Sequence, residues 1–86
     1  MRESFDGISE IIKEICGAEE INPELTLKED LALDSMQMVV MLITLEDVFD
    51  IVLDESDMNP FDLITVQDIV DLVDKYLKED KFETNN

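Results

Sequence analysis

Few residues in this chain could do chemistry. Ser35 follows Asp34 where a long connection gives way to an apolar helical pattern, in the stretch Leu33-Asp34-Ser35-Met36. Asp34 or Ser35 can cap the first backbone N–H groups of that helix. The same junction offers a second chemistry. A helix N-terminus presents free N–H groups and a partial positive charge, so it suits an attached phosphate. A hydroxyl placed there is within reach of a modifying enzyme. The chain contains no histidine, which removes the usual general base, the Ser-His and Cys-His nucleophile systems, and histidine metal ligands. Ser35 therefore cannot activate itself as a triad serine does. If it carries chemistry, another enzyme must modify it.

The remaining candidates read as structure. Cys16 is the single cysteine, which excludes an intrachain disulfide and a thiolate zinc cluster and suits a reducing, cytoplasmic setting. It falls on the apolar side of a predicted helix, as a small buried hydrophobe rather than a reactive thiol. Asp47, Asp50, Asp54 and Asp57 could attract a divalent cation weakly, but a solvated acidic face explains them better. Asp54-Glu55-Ser56-Asp57-Met58-Asn59 lacks the glycine and the ligand pattern of an EF-hand. We expect no metal site and no self-contained enzyme.

The elements that must position Ser35 follow from apolar spacing. Phe5, Ile8, Ile11, Ile12, Ile15 and Cys16 recur at helical intervals and predict a first helix over about 4–16. Ser4 is placed to cap it, and Gly17 to end it. Residues 18–34 form a long connection in which Leu25, Leu27, Leu31 and Leu33 should lie on the core. A second helix is predicted over about 35–49, with Met38, Met41, Leu42, Leu45, Val48 and Phe49 as its core face. Met36, Val40 and Ile43 fall in its polar sector, and Val39 lies at the border. An acidic connector over 50–64 should hold one short turn beginning at Pro60. Thr65-Val66-Gln67-Asp68 is a capping-box pattern that opens the last helix. There Val66, Ile69, Val70, Leu72, Val73, Tyr76 and Leu77 share one face. The reading is an all-α protein, a small bundle of three main helices plus a short extra helical turn. It assigns residues 1–80 to a single domain and 81–86 to a frayed polar tail.

Composition agrees. The 86 residues are 45% hydrophobic, enough for one thin core that buries roughly 60–65% of the unfolded chain's surface. Six Lys and Arg face 23 Asp and Glu, a net charge of −17. Such a surface repels nucleic acid and anionic membranes and favours basic protein surfaces. The N-terminus Met1-Arg2-Glu3-Ser4 does not open a signal peptide. No apolar run is long enough to insert into a membrane. A cytoplasmic monomer is expected.

Leu31-Ala32-Leu33-Asp34-Ser35-Met36 resembles the Asp-Ser-Leu/Met signature of acyl and peptidyl carrier proteins. Leu45-Glu46-Asp47-Val48-Phe49-Asp50 is similar to the family's Leu-Glu-x-x-Phe helix ending. Ile64-Thr65-Val66-Gln67-Asp68 resembles the Thr-Val that opens the family's last helix. Helix order, long first loop and acidity fit, and the resemblance covers about residues 4–78. It implies an acyl-carrier-protein-like fold, commonly described as a four-helix bundle. It also implies that Ser35 bears a 4′-phosphopantetheine arm, transferred from coenzyme A by a magnesium-dependent phosphopantetheinyl transferase. Asp34 would serve recognition by that transferase. The arm's thiol would hold an acyl or aminoacyl thioester. An acyl- or aminoacyl-loading ligase and a downstream acyltransferase or synthase would be the other partners, as in fatty acid or polyketide biosynthesis. The carrier itself would catalyse nothing.

Two departures matter. The family often has glycine two residues before the motif's Asp, where this chain has Ala32. The loop must then change conformation or accept strain. Fatty-acid carriers usually line the helix after the serine with acids. Here the corresponding positions include Gln37 and Val40, with Ile43 nearby, and the acids Glu46, Asp47 and Asp50 come only at the far end. Met36, Gln37, Val40, Ile43 and Asp47 are the expected partner-facing residues, with charge steering the encounter and the apolar patch holding it. The pattern points to a free-standing, specialised carrier (D-alanyl, aminoacyl or polyketide) rather than the fatty-acid one. The alternative is an acidic helical interaction module in which Ser35 is only a cap.

Overall fold

The structure, a computed structural model, describes the backbone of residues 4–84 and the side chains of residues 4–59 and 61–78. Three helices carry the fold: α1 (Ser4–Cys16), α2 (Ser35–Phe49) and α3 (Val66–Thr84). Two 3₁₀ turns, Glu55–Asp57 and Pro60–Asp62, lie between α2 and α3. One turn was expected there; the acidic connector folds into two. Among the described residues the β pairing is confined to an isolated antiparallel bridge between Thr26 and Thr65. The chain is all-α, as its spacing requires.

The core forms where the apolar faces meet. Ile8, Ile11 and Ile12 of α1, Met38, Met41, Leu42 and Leu45 of α2, and Val66, Ile69, Leu72 and Val73 of α3 are buried. Phe49, Cys16, Val70, Tyr76 and Leu77 pack at its margin, half-buried. Helices α1 and α2 approach closely at Gly7. A β-carbon there would stand 2.7 Å from Phe49 Cζ, so the absence of a side chain lets the ring lie against α1. Val48 corrects the expected core face, since it is 55% exposed. On the wheel it falls at the edge of the apolar arc beside Gln37 and Thr44, where neighbouring elements decide the outcome.

The helix ends follow their local chemistry. Gly17 takes φ +76° and its N–H donates to the Lys13 carbonyl at 2.8 Å, the left-handed stop that glycine adopts cheaply. Ser4 does not cap α1 as expected. It lies within the first turn, and its hydroxyl donates to the Asp74 carboxylate of α3, tying the first helix to the last. At α3 the capping box is present. Asp68 N–H donates to Thr65 Oγ1 at 3.3 Å, and Thr65 N–H donates to Asp68 Oδ2 at 3.1 Å. The α3 backbone stays helical to Thr84, beyond residue 81 where a tail was expected to begin. Lys, Glu, Asp and Phe carry only a modest helix penalty there. Asn85 and Asn86, with Met1, Arg2 and Glu3, lie outside the described residues.

The long connection is an ordered part of the bundle. Leu27, Leu31 and Leu33 are buried and Leu25 packs beside them. Asp30 and Thr26 lock the turn reciprocally: Thr26 N–H donates to Asp30 Oδ2 at 2.9 Å and Asp30 N–H to Thr26 Oγ1 at 3.0 Å. Val66 N–H donates to Leu25 O at 3.0 Å and Gln67 N–H to Pro23 O at 2.9 Å. The loop thus supplies acceptors to the first turn of α3, which its own helix cannot satisfy.

Candidate functional site

Ser35 sits at the end of two rigid supports. Leu27 N–H donates to Ile64 O at 2.8 Å, and Leu33 N–H donates to Leu27 O at 2.9 Å. The segment entering Ser35 is therefore anchored, through Leu27, to the residue that precedes the α3 cap. Buried Leu31 and Leu33 hold it from below. Between them, Ala32 adopts φ +56°. The backbone keeps the left-handed turn that glycine would allow freely. Alanine accepts the strain, about 1–2 kcal/mol in this region.

The capping is done by Asp34. Its backbone is extended (φ −89°, ψ 178°), and its Oδ1 accepts the Gln37 N–H at 2.8 Å. Gln37 returns the contact: Asp34 N–H donates to Gln37 Oε1 at 3.1 Å. This reciprocal capping box was not anticipated for Gln37, although Asp-x-x-Gln is the sequence signal that would have found it. Ser35 is left as the first residue of the helix, exposed, and its hydroxyl has no hydrogen-bond partner among the described residues. The backbone N–H groups of Ser35 and Met36 likewise meet no acceptor among them. The first turn contains no acidic residue. An accessible hydroxyl beside unpaired N–H groups at a helix N-terminus is the setting in which a phosphoester is electrostatically favoured. The residues present therefore fit a phosphate-linked prosthetic group.

The expected partner-facing side chains lie on one line of α2. Met36 is 75% exposed, Val40 47% and Ile43 54%. Asp47 is exposed one turn further on. These residues share one face and extend about 16 Å along the helix from the site. Val39 is exposed beside them. Gln37 is only half exposed, because the cap occupies its carbonyl. Sequence periodicity missed three further exposed apolar residues, Val52, Phe61 and Ile64, because they lie in connectors where no helical period applies. Phe61 also carries the Lys28 ammonium 4.6 Å over its ring, a cation–π contact at the loop surface.

The acidic far end is used for structure. Glu46 Oε2 accepts the Leu53 N–H at 2.8 Å, bracing the chain after α2. Asp50 ends α2 in the left-handed region, which a short polar side chain tolerates. Asp57 accepts a hydrogen bond from the Tyr76 hydroxyl at 2.5 Å and pairs with Lys75 Nζ at 3.3 Å. The same hydroxyl accepts from Asp54 N–H at 2.9 Å. The hydrogen bond from Tyr76, aided by Lys75, holds the Asp57 carboxyl below its usual range. Desolvation and the Asp57 contact push Tyr76 up. Among the described residues no cluster of three acids or cysteines is arranged to hold a metal, and no helix is long and apolar enough to cross a membrane.

Comparison with known proteins covers most of the chain. A family model described as "Phosphopantetheine attachment site" matches residues 6–73. The chain is 37% identical over 76 residues to an acyl carrier protein of Thermobifida fusca, across 86% of this chain and 94% of that one. It is 37% identical over 79 residues to the meromycolate extension acyl carrier protein of Mycobacterium leprae, covering 90% of this chain and 67% of that one. The crystal structure of an acyl carrier protein from Thermotoga maritima superposes with a TM-score of 0.72 at 29% identity, covering 86% of each chain.

Proposed function

The chain belongs to the phosphopantetheine-bearing acyl carrier protein family, and from that premise we propose that Ser35 is its attachment residue and Asp34 the residue that both caps α2 and meets the transferase. Members of this family are carriers, not enzymes. They hold 4′-phosphopantetheine covalently and work with a phosphopantetheinyl transferase and acyl-handling enzymes. The bound group supplies a terminal thiol that holds cargo as a thioester.

The single observation that carries the assignment is the unengaged Ser35 hydroxyl beside a cap completed by Asp34 and Gln37. Attachment forms a bond from Ser35 Oγ to phosphorus and breaks the phosphoanhydride of coenzyme A, releasing the adenosine bisphosphate. The hydroxyl proton leaves to a base on the transferase, since this chain has no histidine to take it. The free N–H groups of Ser35 and Met36 then face the phosphoester's negative charge. Peptide mapping after treatment with a transferase and coenzyme A tests the assignment: the modification should fall on the peptide containing Ser35.

Partner choice falls to the stripe of Met36, Val40 and Ile43, with Gln37 contributing its amide nitrogen and Asp47 a charge at the far end. An apolar contact surface closed by one acid suits a partner groove that is greasy near the entering arm and basic one helix-length away. This apolar stripe supports a specialised carrier, of the D-alanyl, aminoacyl or polyketide kind, over a fatty-acid carrier recognised by acids along the whole helix.

A further inference from the structure

Among the described residues three hydrogen bonds fix Asp34, and two of them end on Gln37. Asp34 O accepts the Met38 N–H at 2.9 Å, and Asp34 Oδ1 accepts the Gln37 N–H at 2.8 Å. Both use backbone donors that any residue at those positions would supply. The third depends on the Gln37 side chain: Asp34 N–H donates to Gln37 Oε1 at 3.1 Å. The Asp34 N–H has no other acceptor among the described residues.

That contact closes a short exposed span between two anchored points. Leu33 is 3% exposed and Met38 is fully buried, whereas Asp34 and Ser35 between them are exposed. Ala32, in the left-handed region at φ +56°, stands two residues upstream, so the span has strain to shed if the contact is lost. The cap also leaves two groups open. The second carboxylate oxygen of Asp34 and the Ser35 hydroxyl have no hydrogen-bond partner among the described residues.

We propose that Gln37 is a positioning residue for the modification of Ser35. Its carbonyl holds the Asp34 backbone, so that Asp34 Oδ2 meets the transferase at a fixed position beside the Ser35 hydroxyl. There Oγ bonds to phosphorus and the adenosine bisphosphate leaves coenzyme A. This role rests on Ser35 as the attachment residue and Asp34 as the residue that meets the transferase. Geometry fixed in advance is used in the transition state, so its loss falls on kcat. A direct contact through the Gln37 amide nitrogen would fall on KM instead.

The test is steady-state transfer kinetics with a phosphopantetheinyl transferase, coenzyme A, magnesium and the full chain, each variant first shown to be folded by circular dichroism. Gln37→Ala should lower kcat about tenfold, with KM for the carrier changed by less than about twofold. Gln37→Asn keeps the amide on a stem too short to reach the Asp34 N–H, and should fall as far. Gln37→Glu restores an acceptor of the same length and should recover kcat to within about twofold of the unaltered chain. Asp34→Ala should also lower kcat, and adding Gln37→Ala to it should cost less than about twofold more, because the effect passes through the Asp34 carboxylate. The role is overturned if Gln37→Ala turns over like the unaltered chain, if its loss lies in KM alone, if Gln37→Glu stays as slow as Gln37→Ala, or if the double variant shows the full product of the two single losses. In those outcomes Asp34→Ala is still slow, and the assignment of Asp34 and Ser35 stands. If Asp34→Ala is as fast as the unaltered chain, or Ser35→Ala is still modified, that assignment fails and the role of Gln37 with it.

Discussion

The Asp34 carboxylate and the Gln37 side chain close a reciprocal cap on α2, at 2.8 Å and 3.1 Å. With Ser35 as the proposed attachment residue, capping and attachment belong to different residues that are adjacent in sequence. Asp34→Ala should destabilise the fold by about 1 kcal/mol, whereas Asp34→Asn, an equally good cap, should stay near the unaltered chain. Ser35→Ala should change stability by less than about 0.5 kcal/mol. Urea unfolding of the three variants checks the separation; a loss in Ser35→Ala equal to that in Asp34→Ala contradicts it.

Ala32 holds a left-handed backbone at φ +56°. Glycine would relieve that strain but gives the unfolded chain more freedom, so the net gain from Ala32→Gly is about 0.5–1 kcal/mol. The urea midpoint should rise with an unchanged slope. A fall in midpoint would mean that the loop pays no strain at this residue.

The Tyr76–Asp57 contact gives a pH signature. The folded carboxyl is held below its unfolded value, so its contribution is present above the unfolded pKa, at neutral pH, and fades as pH falls through the lower folded value. Because the pair is only partly buried, Tyr76→Phe should cost no more than about 1 kcal/mol at pH 7. The gap attributable to Asp57 should close as the solution is acidified below the ordinary carboxylate range. A difference in stability that stays constant down to that range would assign the loss to packing or to the Asp54 N–H bond.

Much of this was legible in the sequence, and the exceptions share a cause. The helices α1 and α2, the capping box of Thr65 and Asp68, and the inward leucines of the first connection follow from spacing and local chemistry alone. Val48 did not, because a residue at the edge of an apolar arc is buried or exposed according to what packs beside it. Ser4 was read as a cap, but its hydroxyl finds Asp74 seventy residues away, a contact that only the tertiary fold creates. Exposed Phe61 and Ile64 sit in a connector with no period to reveal their direction. At the site, the Asp34-Ser35 junction was evident, and the role of Gln37 in the cap was legible in the Asp-x-x-Gln spacing although the helical period alone does not reveal it.

The apolar stripe on α2 makes a prediction about partners. Val40→Glu places a charge between Met36 and Ile43, both exposed, and should lower loading by the cognate enzyme about tenfold, the equivalent of about 1.4 kcal/mol. Phosphopantetheinylation should continue. Undiminished loading of the modified variant would remove the stripe from partner recognition.

The most direct measurement is the intact mass of the chain and of Ser35→Ala after incubation with coenzyme A, magnesium and a phosphopantetheinyl transferase. The unaltered chain should gain one phosphopantetheinyl group and Ser35→Ala none, with both folded by circular dichroism. A gain on Ser35→Ala, or no gain on the unaltered chain with a transferase that modifies a control carrier, would contradict the assignment of Ser35.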